Sequence, residues 1–157
     1  MTLSIRIAQL NFVVGDLPGN AQKIIDAAAQ AGAEGAQLLL TPELALSGYA
    51  AEDLYLRPAF QQACDREVER IAQATAAWPG LTLVLGHPTA RGDAGERRRH
   101  NTASVLRAGH VERSYHKQCL PNYGVFDEQR HFVPGHQPCV VEVAGVRVGL
   151  LICEDAW

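Results

Sequence analysis

Apolar positions along this chain change period several times, and each change marks an element. Ile5, Ile7, Leu10 and Phe12 recur at near-alternate positions over residues 4–13, the spacing of a strand. The cluster Gly15-Asp16-Leu17-Pro18-Gly19-Asn20 is a dense turn signal. Ala21, Ile24, Ile25, Ala28 and Ala29 follow at helical steps, predicting a helix from Asn20 to about Gln30 that Gly32 and Gly35 end. Gln37–Leu40 is a short apolar run before Thr41-Pro42, as a buried parallel strand reads. Residues 44–57 are irregular, with one helical turn at Glu52–Leu56. Phe60, Cys64, Val68, Ile71, Thr75 and Trp78 fall on one helical face, and Pro79-Gly80 stops that second helix.

Leu81–Leu85 reads as a strand running into Gly86-His87-Pro88, and RGDAGERRR at 91–99 as a solvated loop tip. Two hairpins follow, 103–106 with 111–116 about Ala108-Gly109-His110, and 140–143 with 146–152 about Ala144-Gly145. Between them, residues 118–138 carry three prolines, two glycines and three aromatics without a sustained period. A loop that long inside a compact chain is usually functional. The order β-α-β-α-β and then hairpins predicts an α/β fold, a mixed sheet with two helices on one face. The pattern leaves the other face without a layer, unless something follows Trp157 or another molecule covers it. No repeat or linker divides the chain, so it reads as one unit, and the open face suggests a truncated one.

Composition narrows the classes. The chain has 157 residues, 47% of them hydrophobic, enough to bury a core. Lys plus Arg number 14 against 17 Asp plus Glu, a net charge of −3, so no basic excess points to nucleic acid or an anionic membrane. No apolar run approaches the roughly 18 residues that span a bilayer. The first residues lack the block and cleavage site of a signal peptide. Cys64, Cys119, Cys139 and Cys153 form no CxxC pair, as expected of reduced thiols in a cytoplasmic protein.

Three reactive side chains share one setting, the polar end of a strand. Glu43 follows LLLTP, Lys117 follows VERSYH and Cys153 follows VGLLI. Ligands of parallel sheets sit beyond such strand ends. Taken singly, each has an ordinary alternative: a capping Glu, a solvated Lys, a buried inert Cys. Together they suit acyl transfer from an amide through a thioester. A carboxylate takes the thiol proton and returns it to the leaving amine. An ammonium lowers the thiol pKa and stabilises the oxyanion.

The local sequences TPELALSGY, YHKQCLPNYGVFDEQRHF and LLICEDAW resemble the three signature blocks of the nitrilase, or carbon–nitrogen hydrolase, superfamily. EDLYLRPAF and LPNYGVFDEQRHF resemble one branch of it, the glutamine-hydrolysing N-terminal domains of glutamine-dependent NAD+ synthetases. The resemblance implies an α-β-β-α sandwich, of which the chain would hold the N-terminal part. It implies that Glu43 is the general base, Lys117 the oxyanion-stabilising cation and Cys153 the nucleophile. Glu128 would be the second glutamate, orienting the lysine or the substrate. Tyr49 and Tyr123 would line a glutamine pocket, and Glu154 would hold the substrate's α-amino group. Phe126 fits either pocket wall or core. The resemblance also implies L-glutamine as substrate and a homo-oligomer. ATP, Mg2+ and nicotinic acid adenine dinucleotide would belong to a synthetase domain absent from these residues, which hold neither GxxxxGK[ST] nor GxGxxG. The piece alone would then be inactive.

Other readings stand beside it. His116-x-x-Cys119 and His136-x-x-Cys139, 16 residues apart, have the look of a structural zinc site, although ordinary strand and loop residues fit them better. A free-standing amidase or nitrilase would share the same triad, and an interaction module could keep the fold without the chemistry.

Overall fold

A computed structural model describes residues 2–91 and 98–157. Strand β1 (Ile5–Ile7) pairs in parallel with β2 (Leu38–Leu40), and β2 in parallel with β3 (Thr82–Arg91). β4 (Arg98–Arg107) and β5 (His110–His116) add antiparallel, giving a mixed five-stranded sheet in the order β1-β2-β3-β4-β5. β1 is shorter than its pattern predicts. Its last rung is Ala8 N–H to Leu40 O, at 2.8 Å. Beyond Leu40 its partner turns away into Thr41-Pro42, and proline offers no N–H to a ladder.

Helix α1 spans Leu17–Ala33 and starts three residues before the predicted Asn20. Asp16 caps it, accepting from Gly19 N–H at 3.1 Å, and Pro18 sits in the first turn, so local chemistry sets the start. Helix α2 (Pro58–Ala74) likewise begins on a proline and runs through a 3₁₀ turn to Trp78. The apolar stripes of both helices, with Ile24, Cys64 and Ile71 fully buried, cover one face of the sheet against Leu39, Leu83, Leu85 and Leu106.

β3 and β4 run longer than their apolar cores suggest. His87-Pro88 reads as a breaker, yet the ladder continues through Pro88 opposite Asn101 to Arg91 opposite Arg98. The polar residues there pair with each other inside the protein, His87 Nε2 with Ser104 Oγ at 2.7 Å and Thr89 Oγ1 with Thr102 Oγ1 at 2.8 Å. Buried polar pairs keep a strand without an apolar period. Of the run at 91–99, Arg91, Arg98 and Arg99 thus belong to strands, while residues 92–97 lie outside the described ones.

The expectation of an uncovered second face is corrected. The hairpin of β6 (Val140–Val143) and β7 (Val146–Gly149) forms a separate two-stranded sheet. Its Val141 and Val143, with Cys139, Leu150 and Ile152, pack on Leu38, Val84, Ala103, Val105 and Tyr115 of the large sheet. The layering is therefore α-β-β. β7 stops at Gly149, and the next residue bonds back to Cys139 O at 3.0 Å. Among the described residues no helix is long and apolar enough to cross a membrane.

Two features hold the turn after β2. Asn20, fully buried, bonds Val13 N and O and Leu46 O at 2.7 to 3.0 Å. Gly86 on β3 lies so close that a Cβ there would run into Pro42 O and stand 2.8 Å from Leu44 N. Only glycine admits that approach.

Candidate active site

Four segments deliver the reactive side chains to one place. Glu43 stands in the turn after β2, where Leu44 adopts φ 53° and Leu46 N–H bonds Gly86 O at 3.1 Å. Lys117 leaves the end of β5, its N–H bonded to Asn101 O at 2.9 Å and its carbonyl to Gly135 N–H at 2.8 Å. Glu128 opens the short helix α3 (Glu128–His131) within the loop that follows. Cys153 begins a 3₁₀ turn, Cys153–Ala156, with φ 47°.

The Lys117 side chain is wholly buried. Its Nζ donates to Glu43 Oε1 at 2.7 Å and to Glu128 Oε1 at 2.9 Å. Asn101 Nδ2 donates to the same Glu43 oxygen at 2.6 Å. Cys153 and Glu43 share the wall of a cavity of about 310 Å³ between the large sheet and β7. Glu128 and Tyr49 face a second cavity of about 190 Å³, with Phe126 in its wall. Tyr49 Oη donates to Glu128 Oε1 at 3.4 Å. Lys117, bonded to both carboxylates, thus bridges two recesses. Tyr123 and Glu154 line neither. They pair with each other, Tyr123 Oη lying 2.9 and 3.0 Å from the Glu154 oxygens, and Phe126 meets the Tyr123 ring edge-on at 5.7 Å.

Burial pulls the Lys117 pKa down, but its hydrogen bonds to Glu43 and Glu128 outweigh that, so it is raised and the group is an ammonium at neutral pH. Glu128 goes the other way from most paired carboxylates. Burial lifts its pKa above the usual range, and Lys117 offsets only part of that. Burial, then the Glu128 and Glu43 charges, push the Tyr49 phenol up. The Cys153 thiol is also raised, by burial first and by the Glu43 charge next. The expected lowering by the ammonium is present but is outweighed by burial and by the Glu43 charge. A thiol of that kind rests protonated, and a carboxylate beside it can accept its proton during attack.

Two residues of the site have no strong signal in the sequence. Asn101 sits mid-strand, a position asparagine disfavours, and that mismatch is its only cue. Asp155 accepts four hydrogen bonds beside the thiol turn, and nothing in CEDAW marks it apart from its neighbour Glu154. The HxxC pairs do not assemble a metal site. Cys139 is buried in the core between the two sheets, Cys119 is exposed, and among the described residues no three metal-ligating side chains gather.

Residues 4–157 match the carbon–nitrogen hydrolase family. The chain is 49% identical over 158 residues to a glutamine-dependent NAD(+) synthetase of Xylella fastidiosa, a match covering 99% of the chain and 28% of that protein. It superposes on the structure of glutamine-dependent NAD+ synthetase from Acinetobacter baumannii with a TM-score of 0.87 at 37% identity, covering 99% of this chain and 28% of that one. An amidase from Nesterenkonia sp. AN1, with the acetamide moiety of fluoroacetamide added covalently at its active site cysteine, superposes with a TM-score of 0.77 at 32% identity, covering 98% of this chain and 56% of that one. The chain thus spans about 28% of the length of the synthetases it matches. The family match from the first strand to the last residue, on a fold that brings a thiol, an ammonium and two carboxylates together, places this chain in the carbon–nitrogen hydrolase family.

Proposed function

We propose that residues 1–157 are the front part of the glutamine-hydrolysing domain of a glutamine-dependent NAD+ synthetase. The observation that carries this reading is the buried Lys117 ammonium held between Glu43 and Glu128 beside the Cys153 thiol. Glu43 takes the Sγ proton as the thiolate attacks the side-chain amide carbon of L-glutamine. The tetrahedral oxyanion forms against Lys117, whose charge is fixed before the reaction begins. Protonated Glu43 then gives its proton to the amide nitrogen, the C–N bond breaks, and ammonia leaves a glutamyl thioester on Cys153. Water attacks the thioester, Glu43 taking its proton, and glutamate and the thiol are released. Glu128 holds Lys117 in place, Tyr49 holds Glu128, and the Tyr123–Glu154 pair at the rim offers a carboxylate to the α-ammonium of glutamine.

ATP, Mg2+ and nicotinic acid adenine dinucleotide belong, on this reading, to a separate synthetase domain that uses the ammonia. The residues here suit none of them: they carry no glycine-rich phosphate loop, and among the described ones no metal-ligating cluster forms. The reading also carries a homo-oligomer in the cytoplasm, where four free cysteines are ordinary.

The likeness to a nitrilase-superfamily amidase supports a second reading, a free-standing amidase acting on simple amides. Ammonia release by the intact protein from L-glutamine and from acetamide separates the two. The proposal expects kcat/KM for glutamine to exceed that for acetamide by at least about 100-fold, since a site that binds a charged group discriminates against analogues lacking it. It also expects hydroxylamine to trap the glutamyl group. A preference for acetamide replaces it with the second reading.

Asn101 donates a hydrogen bond to Glu43 Oε1 beside that of Lys117. Losing a hydrogen bond to a charged group costs about 1.5–3 kcal/mol. Asn101→Leu is therefore expected to lower kcat by about 10- to 100-fold, read in the same ammonia assay.

A further inference from the structure

We infer that Asp155 is a positioning residue that locks the catalytic lysine and the nucleophile to each other through one carboxylate. The inference rests on the roles proposed above for Lys117 and Cys153. Asp155 Oδ1 accepts from Gln118 N–H at 3.0 Å and from Cys119 N–H at 2.8 Å. Its Oδ2 accepts from Ile152 N–H at 3.0 Å and from Tyr115 Oη at 2.7 Å. Gln118 directly follows Lys117, and Ile152 directly precedes Cys153. One oxygen therefore holds the segment that carries the ammonium, and the other holds the segment that carries the thiol. These segments leave different sheets, Lys117 the large one and Cys153 the hairpin, and among the described residues no ladder joins the two. Cys153 also sits at φ 47°, a backbone that a non-glycine residue keeps only where its surroundings impose it. The bond from Ile152 N–H fixes the residue on the N-terminal side of that strained position. Burial works against ionisation of Asp155, but the bonds it accepts outweigh burial and hold its carboxyl below its ordinary value, so the clamp is an anion at working pH.

An isosteric substitution tests this. In Asp155→Asn one carboxylate oxygen becomes an NH2. Each oxygen position faces a backbone N–H that cannot rotate, so either amide orientation sets donor against donor. One orientation frees the lysine segment and the other frees the thiol segment. D155N can hold one of them and not both. In the intact protein, D155N is expected to lower kcat for glutamine by about 10- to 100-fold, as misplacement of about 1 Å does, with KM changed less than about 3-fold. Alkylation of Cys153 by iodoacetamide, followed by peptide mass, should slow by at least about 5-fold in the same variant. Tyr115→Phe removes one donor and leaves all three backbone N–H anchors, so its losses should be several-fold smaller. If D155N does not fold, Asp155→Ser, whose single hydroxyl oxygen reaches only one segment, carries the same expectation. Wild-type kcat and alkylation rate in D155N overturn the inference alone. So do losses in D155N and Y115F that only track their melting temperatures. An unreactive Cys153 in a wild-type protein that hydrolyses no glutamine overturns the catalytic reading, and this inference with it.

Discussion

Replacing Cys153 by alanine is expected to lower glutamine hydrolysis by at least about 1,000-fold while NAD+ formation from added ammonia continues at its original rate. The reason is chemical. Once the sulfur is gone, no atom of the site can form the thioester. On the proposed mechanism Lys117 and Glu43 would still polarise the amide and activate a water, but the two-step route is closed. The fold should be indifferent. Cys153 is exposed and packs no core, and alanine bears the same φ of 47° at much the same cost. The assay therefore has its own control. Amidation supported by ammonia shows that the protein is folded and that the synthetase step is intact. Glutamine-dependent amidation that survives the substitution removes Cys153 from the mechanism and, with it, the role proposed for this chain.

The sequence displays the parts of this site better than their joint electrostatics. Glu43, Lys117 and Cys153 each follow a segment that reads as a strand, so a reader of strand ends finds all three. Glu128 opens a four-residue helix inside a loop without periodicity, and only its resemblance to a family block singles it out. The effect of Glu128 on the thiol cannot be read from spacing at all. The ammonium still lowers the pKa of the neighbouring thiol, but burial and the Glu43 charge outweigh it, and that balance exists only once the four segments meet. The fold shows a similar division. Helix faces with a 3.6-residue apolar period are legible, but the extended β3–β4 ladder is not, because His87, Thr89, Thr102 and Ser104 satisfy one another instead of facing water. The hairpin of β6 and β7 is legible as a hairpin. That it closes the second face is a tertiary fact, carried by Cys139, Val141 and Ile152 against Val84 and Tyr115. Asn101 and Asp155 are hidden for one reason: each bonds a segment far away in sequence, Asn101 reaching Glu43 58 positions off and Asp155 reaching Gln118 37 positions off.

Lys117→Met should be the most destabilising single change in the site. Methionine matches the length of the lysine stem but carries no charge, so Glu43 and Glu128 would face each other across a buried gap. Removing one partner of a buried pair costs about 3–5 kcal/mol, a large share of the 5–15 kcal/mol that holds a typical domain together. The loss should depend on pH in a defined direction. The Glu128 pKa is already raised by burial, and without the ammonium the Glu43 charge raises it further. Between the ordinary glutamate value of about 4.3 and that raised value, the native variant binds a proton that the unfolded chain does not. Its stability therefore climbs as pH falls through the raised value. The wild type shows that trend more weakly, because Lys117 offsets part of the rise in its Glu128, and it carries a second dependence at high pH. Its raised lysine contributes stability that is complete below the ordinary value of about 10.4 and is lost only as pH rises through the folded one. Hydrogen exchange of β4 and β5 amides, which reports local opening, reads both effects in the intact protein. At pH 7 the K117M amides should exchange far faster than wild type. The gap should narrow at pH 5.5, and K117M/E128Q should narrow it at pH 7, since the second substitution removes the charge left stranded. Protection in K117M equal to wild type at pH 7 would show that the cluster of Lys117, Glu43 and Glu128 does not hold these strands. A gap unchanged by pH or by the second substitution would show that the damage is lost packing around the lysine stem and not two carboxylates left without their cation.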